Sequence, residues 1–275
     1  QDLIDACPDE KAVEEEIYAR WLTDEGAVFS NLRATFSLKP TASYRWTGTV
    51  FVPDSERPCL WVSTTPDQGD RFRKADSYVA GLDFGIKDPT VMSGFNRRTL
   101  QQAWVARFSG HTDYTEMIPA LDRLMDDWNS PFVVYDEGGG HGGAAREYLA
   151  RRYKQGVTGR KWSHTSKVAD ITRAQFLCSN AGKDDGWALI DVPWQKLEFE
   201  HFQVTTVTKQ GIHLDRPRFS APPKENDDGV TAACLAATSL AHPAQQQMKK
   251  PPPAPFTHDW WDAAMKFQRR LTGRR

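Results

Sequence analysis

One aspartate constrains this chain more than any other residue. The run Tyr78-Val79-Ala80-Gly81-Leu82-Asp83-Phe84 is apolar enough for a buried strand, yet Asp83 sits inside it. A lone buried carboxylate is costly, so such a strand persists only where Asp83 is paired or faces a cation. A second apolar run, Phe132-Val133-Val134-Tyr135, ends on Asp136, and a glycine-rich turn follows it. Further on, Asp227-Asp228 opens an Ala-rich segment expected to be a helix over 226–240. Adjacent helical residues point about 100° apart, so one of Asp227 and Asp228 is expected to face a shared site while the other caps the helix.

The pattern around these acids is that of an α/β fold. Strands are expected over Thr49–Val52, Cys59–Val62, Thr90–Phe95 and Ala103–Phe108 as well as in the two Asp-bearing runs. Helices are expected over about Thr112–Trp128, Ala144–Tyr153 and Ile171–Ser179, and a hairpin over Val204–Leu214 around Lys209-Gln210-Gly211. Three strands in a row, then helices alternating with strands, describe a mixed sheet with helices on its faces. An amphipathic helix is expected over Asp9–Trp21. Pro251-Pro252-Pro253 marks a linker before a short aromatic-basic helix near Trp260–Arg270. Trp260-Trp261 is read as docking that tail, and His141, His164, His201 and His213 have no ligand spacing.

Composition removes whole classes of answer. Hydrophobic residues at 39% and charged residues at 26% are ordinary globular values, which excludes wholesale disorder. No apolar run nears the roughly 18 residues of a membrane helix. The N-terminus has neither a secretory layout nor an initiator Met, which suggests a mature product or a cut fragment. Four widely spaced cysteines offer no zinc pattern and fit a reducing compartment.

The net charge of −1 conceals segregation. Residues 1–25 carry a net −7, residues 146–173 a net +6 and residues 242–275 a net +5. Basic segments flanking an acidic cluster suit a polyanion. Carboxylates without His or Cys suit hard cations, Mg²⁺ or Mn²⁺, and two such ions about 4 Å apart can cleave a phosphodiester.

The motifs carry a specific resemblance. Tyr78 to Gly85 with Asp88-Pro89-Thr90 resembles the first nuclease motif of tailed-phage large terminase subunits. Val133-Val134-Tyr135-Asp136 with Ala144-Ala145-Arg146-Glu147-Tyr148-Leu149 resembles their second motif, and Asn226-Asp227-Asp228-Gly229-Val230-Thr231-Ala232-Ala233 their third. Residues 14–29 are similar to the join between the ATPase and nuclease halves of that family. The likeness spans roughly residues 10–242.

It implies an RNase H-like (RuvC-type) mixed sheet flanked by helices, and a metal-dependent endonuclease that cuts concatemeric viral DNA during genome packaging. The metal and catalytic residues it implies are Asp83, Asp136, Asp228 and Asp227, with Asp228 favoured over its neighbour, and two Mg²⁺ or Mn²⁺ ions. Double-stranded DNA is the implied substrate, and the small terminase subunit and the portal are partners of the full-length protein. The host bacterial cytoplasm is the expected location, with no membrane association and a monomeric isolated domain. Candidate DNA contacts are Arg146, Arg151, Arg152, Lys154, Arg160, Lys161 and Lys209.

Two positions depart from the family pattern. Thr231 stands where the third motif often has its last acid, and Glu137 directly follows Asp136, leaving two candidate ligands there. No GxxxxGK[ST] phosphate loop occurs, so the chain is expected to be the nuclease half alone. The expected organisation is an acidic linker helix over 1–30, the nuclease domain over 31–242, and a Pro-rich linker with a basic tail over 243–275. An actin- or sugar-kinase-like ATPase shares the Gly81-Leu82-Asp83-Phe84-Gly85 turn, but the chain is short for two such lobes. A non-catalytic DNA-binding domain is the other rival.

Overall fold

The computed structural model describes residues 27–63, 78–85, 87–128, 130–137, 143–209 and 212–240. The expected N-terminal helix, the glycine turn with His141, and the tail beyond Leu240 lie outside them. Ten strands are described: β1 Ala42–Trp46, β2 Phe51–Pro53, β3 Leu60–Val62, β4 Tyr78–Asp83, β5 Thr90–Asn96, β6 Gln102–Phe108, β7 Phe132–Asp136, β8 Val157–Arg160, β9 Gln203–Lys209 and β10 Ile212–Ser220. The helices are α1 Leu32–Thr35, α2 Tyr114–Asp127, α3 Gly143–Tyr153, α4 His164–Ser179, α5 Pro193–His201 and α6 Asp228–Ala237.

Eight strands form one mixed sheet in the order β2-β1-β3-β6-β5-β4-β7-β8. Pairing is antiparallel from β2 to β4, and parallel where β4 meets β7 and β7 meets β8. β9 and β10 make a separate antiparallel hairpin.

Alternation along the strands sorts side chains to two helical layers. Ala80, Leu82 and Met92 pack on one side with Met117, Leu121 and Leu124 of α2 and Leu149 of α3. Val79 and Phe95 face the other side, where Ile171 and Ala174 of α4, Phe199 of α5 and Val230 and Ala233 of α6 close the core. Every residue of α6 is buried, which explains why its sequence is almost wholly small and apolar.

α6 lies unusually close to the sheet. A Cβ built on Gly81 would stand 1.8 Å from the Ala232 carbonyl oxygen and 2.6 Å from the Ala236 nitrogen, so glycine is required at the crossing. Capping defines the neighbouring helices. Asp113 accepts from the Thr115 N–H at 2.8 Å to start α2, and Ser163 with Ser166 forms a reciprocal capping box at α4.

Several elements differ from the sequence expectation. α4 begins at His164, a full two turns before Ile171, because the Ser163–Ser166 box starts it there. β1, β8 and α5 were not foreseen. β8 is the four-residue Val-Thr-Gly-Arg, too short to show alternation, and exists by pairing with β7.

Residues just ahead of 31 make contacts of their own. Ala27 bridges to Gln203, the Val28 N–H donates to Phe202 O at 3.2 Å, and Val28 and Phe29 are buried. Val28 and Phe29 thus pack into the core beside Phe199 and Phe202. The packed unit runs to Leu240. No described helix is long and apolar enough to cross a membrane.

Candidate active site

Asp83 is the last residue of β4 and Asp136 the last of β7. The parallel register pairs Gly81 with Val134 and Leu82 with Tyr135, so one step further Asp83 and Asp136 stand side by side. Residues two apart share a sheet face, so Asp83 lies on the face of Gly81, the residue crossed by α6. Asp228 is four residues before Ala232, one turn along the same helix toward its N-terminus. Strand direction, pairing register and helix pitch thus bring Asp83, Asp136 and Asp228 to one end of one face.

The electrostatics agree. Burial, followed by the charges of Asp228, Asp136 and Asp227, pushes the Asp83 carboxyl well above the ordinary carboxylate range, while Lys167 pulls it back. The Lys167 ammonium lies 4.9 Å from the ring centre of Trp162. Asp228 is 8% exposed and is pushed up to about 7 by burial first, then by Glu198, Asp227 and Asp88. Its Oδ2 accepts no hydrogen bond from the described residues.

Asp227 holds the N-cap position of α6 but makes no capping bond with its side chain. Its Oδ2 accepts instead from the Ala221 N–H at 3.3 Å. The expected capping role is thus not performed by Asp227. Glu137 has an exposed side chain, while its backbone N–H extends the β7–β8 ladder to Arg160 O at 3.0 Å. Thr231 is buried inside α6.

Sequence reasoning missed Glu198, on the unforeseen α5. It is 6% exposed, and burial pushes its carboxyl up to about 7, opposed by the Gly229 N–H and by Arg107. Its Oε2 accepts from the Gly229 N–H at 2.7 Å, and its Oε1 is 3.7 Å from Arg107 Nη2. The Arg107 guanidinium lies 4.6 Å from the ring centre of Trp194. No spacing pattern in the chain links residues 107, 198 and 228.

The basic candidates divide into committed and available charges. Arg160 forms a forked pair with Asp170, with Nη2 to Oδ1 at 2.6 Å, and Trp162 Nε1 joins the same carboxylate at 2.8 Å. Arg152 is tied to Asp122 at 3.3 Å and Asp126 at 3.7 Å. Arg146 donates to the Glu137 carbonyl at 3.1 Å, close behind β7. Arg151 pairs with the exposed Glu147 at 2.5 Å and stays 79% exposed, while Lys154 and Lys161 are exposed. Lys209 ends β9 at the hairpin turn.

A hard cation fits this donor set. The converging groups are carboxylates, Asp228 offers an oxygen without a donor among the described residues, and Asp83 carries a net repulsion that a cation would relieve. Among the described residues no group of three or more His, Cys, Asp or Glu side chains is already arranged to hold a metal ion.

A mixed sheet with acids at the ends of two adjacent parallel strands and a third on a crossing helix defines an RNase H-like fold. Solved structures bear this out. The large terminase nuclease of thermophilic phage G20c superposes with a TM-score of 0.58 at 21% identity, covering 78% of this chain and 98% of that one. Its magnesium-bound form gives 0.59 at 21% identity, covering 78% and 97%. The nuclease domain of the Thermus phage P74-26 large terminase gives 0.57 at 20% identity, covering 76% and 93%. The fold is thus the one that the motif resemblance implied. No family model matches the chain, and no curated protein does.

Proposed function

We propose that this chain is a metal-dependent DNA endonuclease, the nuclease half of a large terminase that cuts concatemeric viral DNA at the start and finish of packaging. The observation that carries the reading is the register of Asp83 beside Asp136 with Asp228 overhead, at strand ends where backbone geometry fixes the carboxylates. The magnesium-bound phage G20c nuclease, similar in fold, supports a divalent ion here.

Asp83 and Asp136 would hold one Mg²⁺ or Mn²⁺, and Asp228 with Asp227 would complete a second position. Bound there, such ions supply an activated water and stabilise the leaving oxygen of the phosphodiester. Asp83 would gain most from such ions, because burial and the charges of all three other acids bear on it. The strand ends would keep the Asp83 and Asp136 oxygens aimed without reorganisation. Arg151, Lys154, Lys161 and the Lys209 hairpin would offer phosphate contacts. Such contacts hold DNA without reading its sequence, as packaging requires. The small terminase subunit and the portal would be partners in the full motor, working in the host cytoplasm.

The test is nicking of supercoiled plasmid with Mg²⁺, Mn²⁺ or chelator. The wild-type chain is expected to cut only with a divalent ion, and Asp83→Ala to lose cleavage while staying folded. Retained cleavage by Asp83→Ala overturns the reading.

A further inference from the structure

We infer that Glu198 is a positioning residue for Asp228: from α5 it caps the N-terminus of α6, the role that Asp227 occupies in sequence but leaves unfilled. The cap stands on geometry alone, and its consequence for cleavage rests on the nuclease reading above.

The first N–H groups of a helix have no partner within it, and an N-cap side chain normally accepts from the second or third of them. In α6 the second residue is Gly229, and its N–H is taken by Glu198 Oε2 at 2.7 Å. The acceptor is a carboxylate, which also favours the positive end of the helix dipole. The approach needs glycine: a Cβ at residue 229 would stand 2.7 Å from Glu198 Oε2 and 2.8 Å from Trp194 Cζ3.

Glu198 is itself fixed. Arg107 on β6 faces its second oxygen at 3.7 Å and covers the ring of Trp194, one helical turn before Glu198 on α5. A sheet strand, a neighbouring helix and the first turn of α6 are therefore joined through one buried carboxylate. Asp228 immediately precedes the held amide, so its direction follows from that turn. Neither Asp227 nor Asp228 spends an oxygen on capping, and Asp228 keeps its Oδ2 clear of any donor among the described residues.

The test uses the full chain and two measurements that need no turnover: hydrogen exchange at the Gly229 amide, and calorimetric titration with Mn²⁺ alone. Glu198→Ala is expected to release the amide and weaken Mn²⁺ binding by roughly 10- to 100-fold, the usual range for a group that orients a ligand. Glu198→Gln, which keeps an acceptor, is expected to keep the amide protected and recover most of the Mn²⁺ affinity. Gly229→Ala, which pushes the carboxylate away, is expected to reproduce Glu198→Ala, and the two together to add little.

An amide still protected in Glu198→Ala overturns the cap. An amide released with Mn²⁺ affinity unchanged shows a structural bond only and overturns the positioning role. Affinity lost equally in Glu198→Gln, with the amide still protected, means that the charge itself acts and overturns it too. A wild-type chain that binds Mn²⁺ but cuts no DNA overturns the nuclease reading and leaves the cap standing.

Discussion

Gly81→Ala is the sharpest perturbation the fold offers, because one methyl group tests both packing and site geometry. The added Cβ would meet the Ala232 carbonyl oxygen at 1.8 Å, about 1.6 Å inside ordinary contact. Neither side can yield easily. β4 is paired on both edges, and α6 is buried along its whole length. The atoms in conflict are backbone on both sides, so no side-chain rotation relieves them.

Separating helix from sheet by that distance forfeits much of the dispersion along α6, since a gap of 0.5–1 Å loses about a quarter to a half of each contact. Overpacking of well-filled cores costs about 1–3 kcal/mol, and this case belongs at or above the upper end. For a domain of this size that corresponds to a fall in Tm of roughly 6–12 °C. The same shift carries Asp228 away from Asp83, and a 1 Å misplacement can cost about 10²-fold in rate. Thermal unfolding and plasmid nicking read the two effects. Gly143→Ala is the control, since its Cβ would meet nothing within 4 Å. A Gly81→Ala chain that melts within 2 °C of wild type (about 0.5–1 kcal/mol) refutes the packing argument, and undiminished cleavage refutes the geometry of the site.

Three further outcomes are expected. Asp83→Asn, by removing a charge crowded by three other acids, should raise the metal-free Tm by a few degrees and lose the extra stabilisation that Mg²⁺ gives the wild type; a lower metal-free Tm would contradict this. Asp228 and Glu198 have carboxyls raised to about 7 in the folded chain, so between about pH 4 and that value the folded state binds more protons than the unfolded one. Metal-free stability should therefore fall as pH rises from about 4 to about 7, and denaturant unfolding that shows it rising across this window would reverse the sign. Replacing Arg151 and Lys161 with Ala should weaken DNA binding and lower the salt slope by about 2, one for each lost phosphate contact, whereas Arg152→Ala should change it less because Asp122 and Asp126 already hold that charge. Superimposable salt titrations of the double variant and the wild type would take the DNA path away from these residues.

The sequence alone determined the strands that carry Asp83 and Asp136. An apolar run long enough to be buried on both faces, broken by one acid, has few other ways to exist. It also determined the α6 segment, where nine small or apolar residues follow an Asp-Asp pair. These features are local, and their physics is carried by neighbours in the chain. Only the tertiary structure decided that β7 lies beside β4 in a register that aligns the two aspartates, and that Gly81 admits α6 closely enough to bring Asp228 over them.

It alone decided that Arg160 is spent on Asp170, and that Asp227 turns to Ala221 instead of capping. Glu198 shows the limit most plainly. In sequence it is one acid in the polar-apolar mixture Trp-Gln-Lys-Leu-Glu-Phe-Glu, with nothing to distinguish it from Glu200. Its burial, its bond to Gly229 and its pairing with Arg107 join residues up to 122 positions apart. A carboxylate's role depends on which atoms stand within about 3 Å of it, and for groups so distant in the chain, packing alone sets that distance.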